Sequence, residues 1–286
     1  LFTNKGLVDW LRVFEIPGMS RSSKGRALVN VLPMEKDEKI TGVIPVREFE
    51  EDYFLMMATA NGTVKKTTLD AFGKRGSGGI IAINLEEGDQ LVGVTRTTGE
   101  DEVMLVTRQG KAIRFDESDV RAMGRTAAGV RGIKLADEDW VVDMVLVREG
   151  GTLLTVCENG YGKRTAFEEY SSQHRGGMGL IDIKTTERNG KVVTSCSVLE
   201  GDEILALSEG GKMVRIPVDT ISCIGRNTQG VRVVSLDEGD RVNEVVRVEF
   251  EEEEPEEGGE EETDTEDSEV SGEDEGEEGE EEVDEE

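Results

Sequence analysis

Arginine stands four residues ahead of glycine at five places in this chain: Arg21/Gly25, Arg75/Gly79, Arg125/Gly129, Arg175/Gly179 and Arg226/Gly230. Successive arginines are 54, 50, 50 and 51 residues apart. Other cations gather at the same turns, namely Lys24, Lys74, Arg121, Arg131, Lys134 and Arg232. A second set follows a turn glycine (Gly6, Gly62, Gly110, Gly160, Gly211) lying 13 to 15 residues before each arginine: Lys65, Lys66, Arg114, Lys163, Arg164 and Arg215. Cations recurring in fixed register have one evident chemistry, contact with a row of phosphates. Such contact is salt-sensitive and carries little base information. A structural use competes with it. An arginine near a turn can donate to backbone carbonyls, and a repeat fold needs the same brace in every copy. Both readings stand for each arginine taken alone.

Catalytic constellations do not emerge. His174 is the only histidine and has no candidate nucleophile beside it. There is no P-loop and no H-E-x-x-H. Cys157, Cys196 and Cys223 lie far apart without a C-x-x-C pair, so they read as reduced thiols and small core hydrophobes rather than a disulfide framework or zinc site. Tyr53, Tyr161 and Tyr170 read as packing residues. The expectation is a chain with no catalytic residue, bound cofactor or metal of its own. No run of 18 apolar residues occurs, so no membrane span is expected. The chain starts at Leu1 inside a repeat, without an initiator Met or a signal-peptide pattern, and reads as a piece of a longer protein.

The elements that must position these cations are short strands. Residues 103–107 and 112–115 flank Gly110, and an alternating run closes at Leu135. The same plan recurs over residues 1–46, 53–97, 152–198 and 203–248, with later strands of the first copy expected at 27–32 and 40–46. Asn61-Gly62 suggests a type I′ hairpin. No segment sustains a 3.6-residue apolar period. Four strands per roughly 50 residues predicts an all-β, propeller-like ring, one small sheet per blade, with five complete copies here. In such a ring equivalent positions share one edge, so the repeated cations form a basic belt. The acidic turns, Glu86-Glu87-Gly88-Asp89, Asp137-Glu138-Asp139 and Asp237-Glu238-Gly239-Asp240, are expected away from it.

Charge divides the chain in two. The net charge is −30, yet residues 249–286 hold 25 acidic and no basic residues, leaving 38 acidic against 33 basic before them. The expectation is a domain over residues 1–249 and a disordered polyanionic tail over 250–286. The tail reads either as an inert solubilising segment or as a competitor that folds back on the belt.

Several strings carry a resemblance: ATANGTVKKT (58–67), GEDEVMLVT (99–107), VRAMG with GVRGIKL (120–135), NGYGKRT (159–165), TERNG (186–190) and GRNTQGV (225–231). Together they resemble the C-terminal domain of bacterial DNA gyrase A, a component of the type IIA DNA topoisomerases, over residues 1–249. The resemblance implies a six-bladed β-pinwheel that wraps double-stranded DNA around a basic perimeter and biases the enzyme toward negative supercoiling. It also implies an isolated domain that is monomeric, and a cytoplasmic, chromosome-associated holoenzyme with two copies each of gyrase A and gyrase B. ATP, Mg2+ and the nucleophilic tyrosine would lie in other parts of that assembly. The family's Q-R-R-G-G-K-G box belongs to a blade upstream of Leu1. QHRGGMG (173–179) echoes it, but with His174 and Met178 at two of its basic positions, so the box function does not transfer. The C-terminal domain of topoisomerase IV and a protein-interaction propeller are the alternatives.

Overall fold

The computed structural model describes residues 1–20, 23–24, 26–32, 34–74 and 79–248. They fall in one compact unit, Leu1–Phe250. Arg21, Gly25, Arg75 and the acidic run 249–286 lie outside the described residues.

Repeat 1 supplies β1 (Phe2–Thr3), β2 (Leu7–Val8) and β3 (Ile40–Gly42). Repeat 2 supplies β4 (Phe54–Thr59), β5 (Thr63–Thr68), β6 (Ile80–Ile81) and β7 (Leu91–Thr97). Repeat 3 supplies β8 (Glu102–Thr107), β9 (Lys111–Asp116), β10 (Val130–Arg131) and β11 (Val141–Leu146). Repeat 4 supplies β12 (Thr152–Cys157), β13 (Tyr161–Ala166), β14 (Leu180–Ile181) and β15 (Val192–Val198). Repeat 5 supplies β16 (Glu203–Ser208), β17 (Met213–Pro217), β18 (Val231–Arg232) and β19 (Val242–Val248). The all-β, propeller-like ring of blades expected from the sequence is what these strands build.

A blade, however, is not one repeat. The sheets run β3-β1-β2-β6, β7-β4-β5-β10, β11-β8-β9-β14 and β15-β12-β13-β18, and a final three-stranded sheet runs β19-β16-β17. Repeats 2 to 5 therefore each give a two-residue strand to the blade before them. Among the described residues β17 receives none. In repeat 1 the corresponding segment follows no other repeat in this chain, and where strand was expected over 27–32 it makes only a 3-10 turn, Leu28–Asn30. The strands β3, β7, β11, β15 and β19 pack in succession and form the inner layer, which leaves the donated strands on the outer edge.

The core lies between blades. Met56 and Ala58 of β4 pack with Val103 and Leu105 of β8, while Leu55 and Met57 face the seam with repeat 1. Met104 and Val106 face repeat 4, and Leu154 and Val156 face Ile204 and Ala206 of repeat 5. Because both faces of a middle blade are covered, β4 and β8 read as unbroken apolar runs, Leu55–Ala58 and Val103–Val106, instead of alternating ones. Each such Val, Leu, Ile or Met side chain contributes about 1.5–3 kcal/mol on burial.

The hairpins differ from the expected type I′ form. Gly62 N–H donates to Thr59 O at 2.9 Å, and only Gly62 of the turn has positive φ. This is a three-residue loop, a type I turn closed by a left-handed glycine. The same bond recurs at Gly6, Gly110, Gly160 and Gly211.

Candidate nucleic-acid interface

Each described signature arginine clasps the repeat before it. Arg125 Nη1 donates to Ile81 O at 3.2 Å, Arg175 Nη1 to Arg131 O at 3.0 Å, and Arg226 Nη1 to Ile181 O at 3.2 Å. All three carbonyls are the second residue of a donated strand. Backbone bonds extend the clasp: Gly176 N–H donates to Gly132 O, Lys134 N–H to Gly177 O, Asn227 N–H to Asp182 O and Lys184 N–H to Thr228 O. The signature loops are thereby linked end to end along the outer edge of the blades. Gly129, Gly179 and Gly230, four residues after these arginines, serve this docking. A Cβ at Gly129 would lie 2.6 Å from Val64 O, and one at Gly179 2.6 Å from Ala112 O. These glycines approach the neighbouring sheet rather than a ligand.

The cations on this outer track that remain exposed are Arg121, Arg131, Lys134, Lys184 and Arg232, while Arg125, Arg175 and Arg226 are half-buried. Lys24 and Lys74 are exposed in the loops leading to the first two signatures. Lys184 was not among the cations expected from sequence, although it sits five residues after its signature glycine, as Lys134 does.

The second set of cations requires correction. Lys65 and Lys163 are fully buried, and Lys66 and Arg164 are 6% exposed, so none of the four presents charge to a ligand. Strand alternation sends neighbouring residues to opposite faces, and in a middle blade both faces are seams. Lys66 Nζ donates to Glu117 O at 3.0 Å, Arg114 Nη1 to Phe167 O at 2.8 Å and Arg164 Nε to Ile221 O at 2.8 Å, each in the following repeat. That repeat answers through Met123, Gln173 and Ile224, whose N–H groups donate to the Lys66, Arg114 and Arg164 carbonyls. Arg114 is also paired with Glu102, whose carboxyl its hydrogen bonds draw below the usual range. Arg215 holds the same register in the last repeat, stays exposed and pairs with Glu203 of its own blade.

One position deeper, Lys163 Nζ lies 3.2 Å from Asp182 Oδ1, and the Tyr170 hydroxyl donates to the same carboxylate at 2.5 Å. Lys65 has no such anion, because Ala82 stands where repeat 4 has Asp182. It donates to the carbonyls of Ala82 and Arg125, and burial lowers it to about 8.

The acidic turns brace the hairpins and are not remote from the track. Asp89, Asp139 and Asp240 accept the loop N–H groups of Asn61, Gln109 and Gly210, each at 2.9 Å. Glu86 and Asp89 line one polar cavity together with Arg131. Of the cysteines, Cys157 is buried as expected but Cys223 is exposed. Tyr170 is buried as a packing residue, whereas Tyr161 is partly exposed at the edge. Among the described residues no three His, Cys, Asp or Glu side chains converge as metal ligands. No helix among them is long and apolar enough to cross a membrane.

Five segments, 1–47, 53–98, 101–148, 152–195 and 202–249, match the model of a family described as DNA gyrase C-terminal domain, beta-propeller. The DNA gyrase A protein of Klebsiella oxytoca is 51% identical over 247 residues, covering 86% of this chain and 28% of that protein. The corresponding gyrase A of Escherichia coli K12 is 48% identical over the same shares. The chain thus spans little more than a quarter of the length of these curated relatives. Among solved structures, the C-terminal domain of a DNA topoisomerase IV superposes with TM-score 0.80 at 31% identity, covering 87% of this chain and 78% of that one. A DNA gyrase A C-terminal domain superposes with TM-score 0.75 at 28% identity, covering 86% and 80%. With the family model matched in all five repeats and the blades linked by donated strands, the chain belongs to the DNA gyrase C-terminal domain family of beta-propellers.

Proposed function

We propose that residues 1–249 bind duplex DNA along the outer track and bend it, as the non-catalytic wrapping domain of an ATP-dependent type II DNA topoisomerase that introduces negative supercoils. The observation that carries this reading is the end-to-end linkage of the signature loops, which sets Arg121, Arg131, Lys134, Lys184 and Arg232 on one outer edge. Contact is with phosphates and tolerant of sequence. Bending a site of 20–30 base pairs costs on the order of 1–6 kcal/mol, which several phosphate contacts offset. ATP, Mg2+ and the cleavage tyrosine belong to other parts of the assembly. The partners are the rest of gyrase A and gyrase B, in the cytoplasm and on the chromosome.

Titrating a duplex labelled at both ends, at 50 and 200 mM salt, tests the reading. Affinity should fall as salt rises, and the ends should approach on binding. Binding indifferent to salt would reject it.

The 0.80 superposition on a topoisomerase IV domain supports a second reading, that of the paralogous enzyme. An assay with the full-length protein and its ATP-hydrolysing partner separates them. The gyrase reading requires relaxed plasmid to gain negative supercoils with ATP; the other requires relaxation and decatenation alone. A protein-interaction propeller predicts instead that replacing Arg125, Arg175 and Arg226 with Ala lowers thermal stability without changing DNA affinity.

A further inference from the structure

Repeat 4 departs from the others where its turn meets the track. Repeats 2, 3 and 5 each place three acids in the turn between their last two strands, whereas the turn at 186–190 reads Thr-Glu-Arg-Asn-Gly. Arg188 from this turn lies over the Tyr161 ring, 4.7 Å from its centroid. Arg232 of the strand donated by repeat 5 stands directly across from Tyr161, 5.6 Å from the same centroid, and its Nη2 donates to the Tyr161 hydroxyl at 3.3 Å. In the other receiving blades this cross-strand pair is Leu7–Ile81, Thr63–Arg131 or Lys111–Ile181, with at most one cation and no aromatic ring.

The turn that carries Arg188 is built, not loose. Asn189 is fully buried. Its amide donates to Lys184 O at 2.9 Å and Gln229 O at 3.2 Å, and its Oδ1 accepts from Thr186 N–H at 2.8 Å. Asn159 donates to Arg188 O at 3.2 Å. Two guanidiniums from different repeats are therefore held on one ring before any ligand arrives. A guanidinium held against an aromatic ring keeps other N–H groups free for contact with a phosphate, and a preset position removes part of the ordering cost.

We propose that Arg188, Tyr161 and Arg232 form a preorganised clamp for backbone phosphate, fixing the duplex where it passes from repeat 4 to repeat 5. This rests on the DNA-binding reading above and adds to it one site stronger than the rest of the track. The ligand is the duplex backbone rather than a base, because the aromatic ring already serves as the platform for the two arginines.

The test measures duplex affinity of this chain by fluorescence anisotropy from 50 to 300 mM salt, with thermal melting as a control for folding. Arg188→Ala with Arg232→Ala should reduce the slope of log affinity against log salt by about 1.8, two phosphates at about 0.9 each. Lys134→Ala should reduce it by about 0.9. Tyr161→Leu keeps both charges but not their platform, and should weaken binding while the slope stays nearly unchanged. A double variant that melts and binds like the unmodified chain, while Lys134→Ala still lowers the slope, overturns the clamp and leaves DNA binding standing. An unmodified chain without salt-dependent binding overturns the reading beneath it.

Discussion

Lys65 and Lys163 occupy one register in two repeats, yet only Lys163 meets a carboxylate. Burial holds Lys65 near 8, against an ordinary 10.5. Between those values the unfolded chain keeps a proton that the folded chain lacks, so this lysine makes stability rise with pH from about 8 to about 10.5. Lys65→Met should flatten that rise in melting temperatures measured across the window. Asp143 acts in the opposite sense. It accepts from Ser195 N–H at 2.7 Å and Thr194 Oγ1 at 3.0 Å on the next inner strand, and burial, with Glu244 nearby, raises it to about 7 from 3.8. The unfolded carboxyl ionises first, so its contribution is fully present below about 4 and lost as pH climbs to 7. Asp143→Asn should remove this loss, and melting curves at pH 5 and pH 8 decide it. Glycine positions also separate by repeat. A Cβ at Gly110 (φ +83°) would lie 2.2 Å from Ile183 O, whereas one at Gly211 (φ +83°) would meet nothing within 4 Å. Gly211→Ala should cost about 1–2 kcal/mol from the left-handed backbone alone. Gly110→Ala should cost about 1–3 kcal/mol more, because the segment just after the donated strand must shift. Equal losses in chemical denaturation would contradict that account.

At the scale of elements, the donated strand and the cation that staples the next repeat turn five repeats into one object. Arg164 and Arg215 test the staple because they share a register, while only Arg164 reaches a following repeat among the described residues. Arg164→Met orphans Ile221 O and should cost about 1–3 kcal/mol. Arg215→Met removes an exposed pair and should stay within about 0.5 kcal/mol. Urea denaturation of the two variants gives the comparison, and a loss at Arg215 matching that at Arg164 would remove the staple from the explanation. The type I′ expectation at Asn61-Gly62 failed at this scale as well. Asn61 N–H is taken by Asp89 Oδ1, a partner 28 residues away that a local turn rule does not see.

For the whole molecule, the arrangement of cations matters more than their number. The body through residue 248 is nearly balanced in charge, with 38 acids against 33 bases, while residues 249–286 add 25 acids. If that run competes with DNA for the track, truncation after Glu249 should raise duplex affinity, most strongly at low salt where screening is least. Affinity unchanged at 50 mM salt would leave the run a solubilising segment.

Repetition alone determined the fold class, the five repeats and the arginine–glycine signature. A spacing near 50 residues and a turn glycine in fixed register need no coordinates to be seen. Lys134 and Arg232 were legible as surface cations because they follow the signature in polar or alternating sequence. What each cation touches was decided only in three dimensions. Alternation along a strand names two faces without saying that both are buried, so Lys65, Lys66, Lys163 and Arg164 read as belt residues until neighbouring blades covered them. The donation of a strand to the preceding blade was equally hidden, since it depends on which sheet edge lies within reach. Arg188, Tyr161 and Arg232, drawn from three separate stretches, meet only because repeat 5 lays its strand against repeat 4.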